Sequence, residues 1–248
     1  MFCLRRPQHG AGLTCGILSL QTGRIEVVRA YRRRPWLAAG LVAVLLACGA
    51  LQADWDFNLI SKRAEQLYGP LGQGRGRIDD WQRLLQAQVG GSEMEQLQAV
   101  NRFFNLRLRF RDDIQIWKVN DYWATPVEAL FRGAADCEDY ALAKYFSLRQ
   151  LGVPSEKLRI TYVKAVRLNQ AHMVLTYYQH PQAIPLVLDN LIDAIEPASR
   201  RSDLVPVYAF NAEGLWLPGA GGGKQVGDSK RLSRWQDLLK KMRDEGFP

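Results

Sequence analysis

The sequence predicts an α+β domain in which a helical N-terminal half is set against a strand-rich C-terminal half. Three observations lead there. Between Phe57 and Arg107 apolar residues recur at three- and four-residue spacing, the period of a helix with one buried face. After Pro154 the pattern changes to β-branched and aromatic runs, the composition of strands. The residues from 54 onward, about 195 of them, suffice for one domain with a real core.

Taken in chain order, Phe57–Tyr68, Asp79–Gln88 and Ser92–Arg107 read as helices, with Leu59, Ala64 and Leu67 on one face of the first. Met94, Leu97, Val100 and Phe104 do the same in the third, and Ser92 with Glu95 three residues on forms a capping box. Gly69–Gly76 reads as a glycine-rich loop. Thr125-Pro126 opens a short helix that Gly133 ends. The next helix starts at Asp136, turns Ala141, Leu142, Tyr145, Phe146, Leu148 and Leu151 inward, and stops at Gly152 and Pro154. Leu158–Val166, Met173–Tyr178, Ile184–Leu188 and Val205–Phe210 read as antiparallel strands. Arg231–Arg243 reads as a final helix. Gly223-Lys224-Gln225 superficially suggests a phosphate loop, but no Gly stands five residues before Gly223 and Gln225 replaces the Ser or Thr, so Gly219–Gly223 reads as a linker or mobile flap. No internal repeat is evident.

Ahead of this domain, Tyr31-Arg32-Arg33-Arg34-Pro35 is a basic n-region, Trp36 to Cys48 an apolar run of 13 residues, and polar sequence begins at Asp54. That is the pattern of a secretory signal over 31–53, with cleavage after Ala50 or Ala53, and it takes the domain of 54–248 out of the cytoplasm. The run falls short of the roughly 20 apolar residues that cross a bilayer, so no stable membrane span is expected. Leu45-Leu46-Ala47-Cys48 resembles a lipoprotein processing box, though Leu46 is unusual there. Residues 1–30, with Cys3 and Cys15, show neither an apolar period nor a second signal and read as an over-extended start, with Val27 or Val28 as candidate initiators.

The net charge of +8 belongs to this leader. Residues 1–53 hold seven Lys or Arg against one Glu, which leaves 26 basic against 24 acidic residues in the domain. No basic stripe remains of the kind a nucleic-acid binder needs.

Once the leader is removed, Cys137 is the only cysteine. An internal disulfide is then impossible, and an unpaired thiol kept in an oxidising compartment suggests that its chemistry is used. A lone cysteine is more often a small core residue, but the acidic neighbours of Cys137 argue against burial. It stands in the first turn of its helix, where the helix dipole favours thiolate.

The domain has two histidines, His172 and His180. His180 lies in Gln179-His180-Pro181-Gln182, which looks like a hairpin turn. A four-residue turn would pair Tyr178 with Ala183, Val174 with Val187 and His172 with Asp189, about 4.5–5.5 Å apart at Cβ. A nucleophile, a base and a group orienting the base is the arrangement covalent catalysis needs, and it makes Cys137, His172 and Asp189 the candidate set. Pro185 cannot donate to a ladder, so the edge it sits on is exposed or bulged and the register open to a slip.

Asp136, Glu138 and Asp139 surround the same sulfur, and like charges oppose the thiolate. One of them capping the helix would be ordinary; three acids in four residues exceed what capping needs. A hard cation would resolve the conflict, and oxygen-rich ligands outside the cytoplasm favour Ca²⁺, with oxygens from Lys118 to Asp121 completing the shell.

Trp123-Ala124-Thr125-Pro126-Val127-Glu128-Ala129-Leu130, Gly133-Ala134-Ala135-Asp136-Cys137-Glu138-Asp139-Tyr140-Ala141, Ala171-His172-Met173-Val174-Leu175 and Leu188-Asp189-Asn190 together resemble the bacterial transglutaminase-like cysteine proteinases, in particular the LapG-type periplasmic proteases. The resemblance covers most of residues 54–245. It implies a papain-like, transglutaminase-like cysteine protease fold, with Cys137 as nucleophile, His172 as base, Asp189 as its orienter, and Ca²⁺ held by the acids flanking the cysteine. By analogy with transglutaminases the Trp123 indole becomes a candidate second oxyanion donor beside the Cys137 N–H. It further implies a large outer-membrane-associated adhesin as substrate, cut near its N-terminus at a di-alanine site, and an inner-membrane cyclic-di-GMP receptor that sequesters the enzyme. A peptidoglycan amidase or a transglutaminase would use the same three residues, and a non-catalytic periplasmic peptide-binding adaptor would keep only the cleft.

Overall fold

The computed structural model describes residues 54–219 and 223–248. The expectations for 1–30 and 31–53, Cys48 among them, lie outside the described residues. Helix α1 (Phe57–Tyr68) falls where the periodicity places it, and Asp56 fixes its start by accepting from the N–H groups of Asn58 and Leu59. Helix α2 (Gln73–Gln88) begins well before the predicted Asp79, so much of the glycine-rich stretch is helical rather than loop. Gly74 explains why glycine is there: a Cβ on it would stand 2.8 Å from the Phe131 Cα. Helix α3 (Glu93–Arg107) starts at the capping box of Ser92 and Glu95.

Two short elements that no periodicity announced come next, strand β1 (Arg109–Phe110) and helix α4 (Asp113–Ile116). Helix α5 (Pro126–Arg132) carries a second capping box, between Thr125 and Glu128, and Gly133 closes it in the left-handed conformation at φ 66°. Strand β2 (Ala134–Ala135) then pairs in parallel with β1, Arg109 against Ala134 and Phe110 against Ala135. This pairing delivers the chain directly into helix α6 (Cys137–Gln150).

Beyond α6 the chain builds a seven-stranded antiparallel sheet from β3 (Leu158–Ala165), β4 (Gln170–Tyr177), β5 (Leu186–Leu188), β6 (Glu196–Pro197), β7 (Leu204–Phe210), β8 (Leu215–Leu217) and β9 (Lys224–Gly227), in the order β6-β5-β4-β3-β7-β8-β9. Helix α7 (Ser233–Asp244) ends the described chain. The residues read as a flap lead into β9, an edge strand. The edge strands β6 and β9, two and four residues long with half-buried, exposed, polar or glycine positions, give too little alternation to be seen in sequence.

The sheet's alternation sorts the strands' side chains onto two sides. Met173, Leu175 and Tyr177 of β4 join the main core with Leu142, Tyr145 and Leu148 of α6, while Val174 meets Val163 and Val187 in a separate small cluster. Each fully buried large apolar side chain of α6 contributes about 1.5–3 kcal/mol by leaving water. Trp81, fully buried, donates its indole N–H to Ser147 at 2.8 Å, which ties α2 to α6. The cysteine-bearing helix is therefore held from both sides. Among the described residues no helix is long and apolar enough to cross a membrane.

Candidate active site

Cys137 is the first residue of α6 and is half-buried, less exposed than its acidic neighbours suggested. Its thiol donates to Glu138 Oε2 at 3.2 Å. Asp136 occupies the N-cap position, yet its carboxylate makes no capping hydrogen bond. Capping is thus not what this acid does. Burial, then the charges of Glu138 and Asp136, push the Cys137 thiol well above its ordinary range, and a backbone hydrogen bond from Met173 pulls the other way.

His172 Nε2 and Asp189 Oδ1 are 2.8 Å apart, with both side chains almost wholly buried. The hairpin that joins them is longer than expected. Tyr177 pairs with Leu186, Thr176 with Val187 and Leu175 with Leu188, so the connection runs over 178–185 and the register is shifted by two residues from the predicted one. Ile184 and Pro185 lie outside the ladder, as a missing N–H at position 185 requires. A shift of two residues leaves every side chain on its original face. Asp189, just past the last pair, accordingly reaches the imidazole diagonally instead of from directly opposite.

The Asp189 carboxylate is held at each oxygen. Oδ1 also accepts the Leu191 N–H at 3.0 Å, and Oδ2 accepts Arg201 Nη2 at 2.7 Å. Burial alone would raise this acid; the hydrogen bonds from His172, Leu191 and Arg201 outweigh it and hold Asp189 at about 2. It is therefore anionic at any working pH. With Nε2 engaged by Asp189, the His172 Nδ1 is left for another partner.

Cys137 and His172 line the same cavity of about 480 Å³, together with Trp123, Tyr162, Tyr208 and Leu191. The three residues that sequence spacing put forward therefore meet at one place, Asp189 standing behind His172. His180 lies in the exposed 178–185 connection, apart from them. Trp123 packs its ring on Phe210, 5.5 Å between centroids and 13° from parallel, and also faces the cavity.

A second constellation sits beside the sulfur. Carboxylate oxygens of Asp113, Asp136 and Asp139 lie within 4.8 Å of one another, as do those of Asp113, Asp121 and Glu138. All three acids flanking Cys137 belong to it. Asp113 is the member that sequence reasoning missed, and it joins the two groups. The β1–β2 pairing places it, because Arg111 N–H bonds to the Ala135 carbonyl and carries the following residues alongside Asp136. The upstream pair Asp112-Asp113 was the only sequence signal, and nothing local shows where it folds.

Among the described residues, Asp113 Oδ1, Asp136 Oδ1 and Asp139 Oδ2 are each buried without a hydrogen-bond partner. Burial and the neighbouring acids push Asp113 up to about 6, and the same causes raise Asp136 and Asp139 further. Crowded, desolvated carboxylates with free oxygen lone pairs need either protons or a cation. The oxygen-only donor set fits a hard divalent ion such as Ca²⁺. The other oxygens of the cluster anchor the Trp123 loop: Asp113 Oδ2 accepts the Tyr122 N–H at 2.5 Å and Asp139 Oδ1 the Ala124 N–H at 2.7 Å. From the far side Lys241 of α7 donates to the Trp123 carbonyl at 2.6 Å.

A half-buried thiol at a helix start and an imidazole backed by a carboxylate, in an α+β fold of papain-like layout, are the parts of a thiol-dependent acyl-transfer enzyme. The chain belongs to the bacterial transglutaminase-like cysteine proteinases: the model of the family "Bacterial transglutaminase-like cysteine proteinase BTLCP" matches residues 79–204. Among solved structures it is similar to Legionella pneumophila LapG, at 44% identity and a TM-score of 0.64 over 74% of this chain and 97% of that one. The EGTA-treated form of Legionella pneumophila LapG matches at 44% identity and a TM-score of 0.65, over 74% and 97% of the two chains. Its calcium-bound form matches at 42% identity and a TM-score of 0.63, over 74% and 98%. No curated protein matches the chain.

Proposed function

We propose that this chain is a calcium-dependent periplasmic cysteine endopeptidase in which Cys137 is the nucleophile, His172 the general base and acid, and Asp189 the residue that orients His172. The supporting observation is the convergence of Cys137 and His172 on one cavity with the imidazole fixed from behind by Asp189 at 2.8 Å. His172 Nδ1 takes the thiol proton, the Cys137 thiolate attacks the scissile carbonyl, and the imidazolium returns the proton to the leaving amine. Water, activated by the same imidazole, then releases the acyl group from the sulfur. The Cys137 N–H at the start of α6 is positioned as an oxyanion donor, with the Trp123 indole as the candidate second one.

Asp113, Asp121, Asp136, Glu138 and Asp139 are the residues that would hold Ca²⁺. Bound there, the ion supplies positive charge that offsets the carboxylates raising the thiol. That the similar Legionella pneumophila LapG exists in calcium-bound and EGTA-treated forms supports this reading. The substrate proposed from the family resemblance is a large outer-membrane-associated adhesin, cut at a di-alanine site near its N-terminus so that it is released and the biofilm disperses. An inner-membrane cyclic-di-GMP receptor is the proposed sequestering regulator.

The test is to incubate residues 54–248 with the N-terminal region of a large surface adhesin from the same genome, with calcium and with chelator. A single cut is expected with calcium, none with chelator, and none from Cys137→Ala under either condition. Cleavage by Cys137→Ala would sink the mechanism, and equal cleavage with chelator would sink the metal requirement.

A further inference from the structure

Behind Asp189 stand two buried basic side chains for which the peptidase chemistry has no direct use. Arg201, 5% exposed, donates from Nη2 to Asp189 Oδ2 at 2.7 Å and to Asp203 Oδ2 at 2.9 Å, and from Nε to Asp203 Oδ1 at 3.0 Å. Lys144, fully buried, donates to the Asp189 backbone carbonyl at 3.1 Å, and Asn105 donates to the same carbonyl at 2.9 Å. All three oxygens of Asp189 therefore carry a partner. One of these contacts does something the others do not. The carbonyl bonds fix the backbone, and the Leu191 N–H shares Oδ1 with His172; among the described residues Arg201 alone holds Oδ2.

Without Arg201 the carboxylate could turn about its Cβ–Cγ bond and offer His172 either oxygen, or neither in line. A buried arginine–aspartate pair is a weak source of stability, because desolvating both charges costs about as much as their attraction returns. Fold stability alone thus gives little reason for the guanidinium to be there. Its planar fork instead suits the work of fixing one carboxylate while being aimed by another.

We propose that Arg201, aimed by Asp203, is a positioning residue for the peptidase reaction: it clamps Asp189 Oδ2, so that Oδ1 stays in line with His172 Nε2 and the imidazole keeps Nδ1 toward Cys137. The proposal rests on reading Cys137, His172 and Asp189 as the reacting set. Arg201 touches neither substrate nor sulfur, so its removal should slow turnover without weakening binding.

The test measures kcat and KM on a peptide substrate for Arg201→Gln, Arg201→Lys and Asp203→Asn in the calcium-loaded protein, with Asp189→Asn as reference. For Arg201→Gln kcat is expected to fall about 10- to 100-fold, the scale of losing a hydrogen-bonding partner behind a functional ligand, with KM within about two-fold of the native value. Arg201→Lys, which keeps the charge but loses the fork, should recover part of that loss. In proton NMR, the low-field imidazole proton that His172 shares with Asp189 should shift or broaden in Arg201→Gln. Added to Asp189→Asn, the Arg201→Gln change should cost little more, since there is no carboxylate left to aim. Native kcat in Arg201→Gln while Asp189→Asn is crippled would overturn the clamp and leave the triad standing; an unimpaired Asp189→Asn would overturn the triad reading itself. Should Arg201→Gln fail to fold, Asp203→Asn carries the test: it frees the outer side of the guanidinium without touching Asp189, and unchanged kcat there would overturn the proposal.

Discussion

The site holds two kinds of enclosed carboxylate, Asp189 behind His172 and the acids beside the sulfur of Cys137, and the fold treats them in opposite ways. Asp189 is almost fully buried and nevertheless anionic, because His172, the Leu191 N–H and Arg201 satisfy its oxygens from within the chain. Asp113 and Asp139 are comparably enclosed and Asp136 is half-buried, but each keeps an oxygen without a partner among the described residues and each is pushed toward its neutral form. Asp189 is complete as the chain folds; on the proposed reading the acids beside the sulfur are completed by Ca²⁺. That contrast separates the part of the site that should work in any buffer from the part that should depend on its ions.

The largest effect expected from this contrast is on the self-contained side. Asp189→Asn keeps the shape but loses the charge that orients His172, and kcat should drop by about 10³- to 10⁴-fold, as when other catalytic triads lose this residue. Stopped assays on a peptide substrate would measure it, and a loss of ten-fold or less would mean that Asp189 is only a packing residue.

Next comes the cluster. Asp113→Asn removes the carboxylate common to both groups of oxygens, and it should abolish the response to calcium in activity and in thermal stability alike. At a calcium concentration 100 times Kd the native protein should gain about 2.7 kcal/mol, roughly 5–10 °C in Tm for a domain of this size. Calorimetry with and without chelator would show it; an equal calcium increment in Asp113→Asn would place the ion elsewhere.

The smallest effect concerns pH, where the two groups should part. Asp189, depressed below the ordinary carboxylate value of about 3.9, contributes stability that is present above that value and lost only as pH falls through about 2. Asp113, raised to about 6 without metal, takes up a proton far sooner, and metal binding weakens as its ligands protonate. The calcium increment in Tm should therefore shrink between pH 7 and pH 4 while the His172–Asp189 bond, followed by NMR, persists. An increment that stays constant over this range would break the comparison.

How much of this was legible in the sequence follows the same division. Cys137, His172 and Asp189 could be brought to one place from the sequence because the helix of Cys137 leaves a period and a stop, and a hairpin has a parity that survives a two-residue slip. The slip itself could not be foreseen. It depends on where Pro185 lets the ladder begin, and both registers bury the same face. Asp136, Glu138 and Asp139 were visible because they crowd one turn. Asp113 was not, since only the parallel contact of two two-residue strands brings it beside Asp136, and no periodicity marks so short an element. Arg201 was hidden differently. It sits next to Arg200 in a stretch that reads as solvated charge, and only the tertiary fold shows that Arg200 is exposed while Arg201 is enclosed with Asp189.

That parallel contact has a further consequence. The five acids of the cluster come from two separate stretches of chain, which meet through the amides of Arg109 and Arg111 bonded to the carbonyls of Gly133 and Ala135. Both β1 side chains are exposed, so the clasp is anchored by Leu108 and Ala135 at its ends but not along β1 itself, and such segments open by local fluctuation before a core does. A cation gripping both stretches would oppose that opening. Amide hydrogen exchange at Arg109 and Arg111 then becomes a substrate-free gauge of whether the site is assembled, slow when calcium is held and fast when it is not.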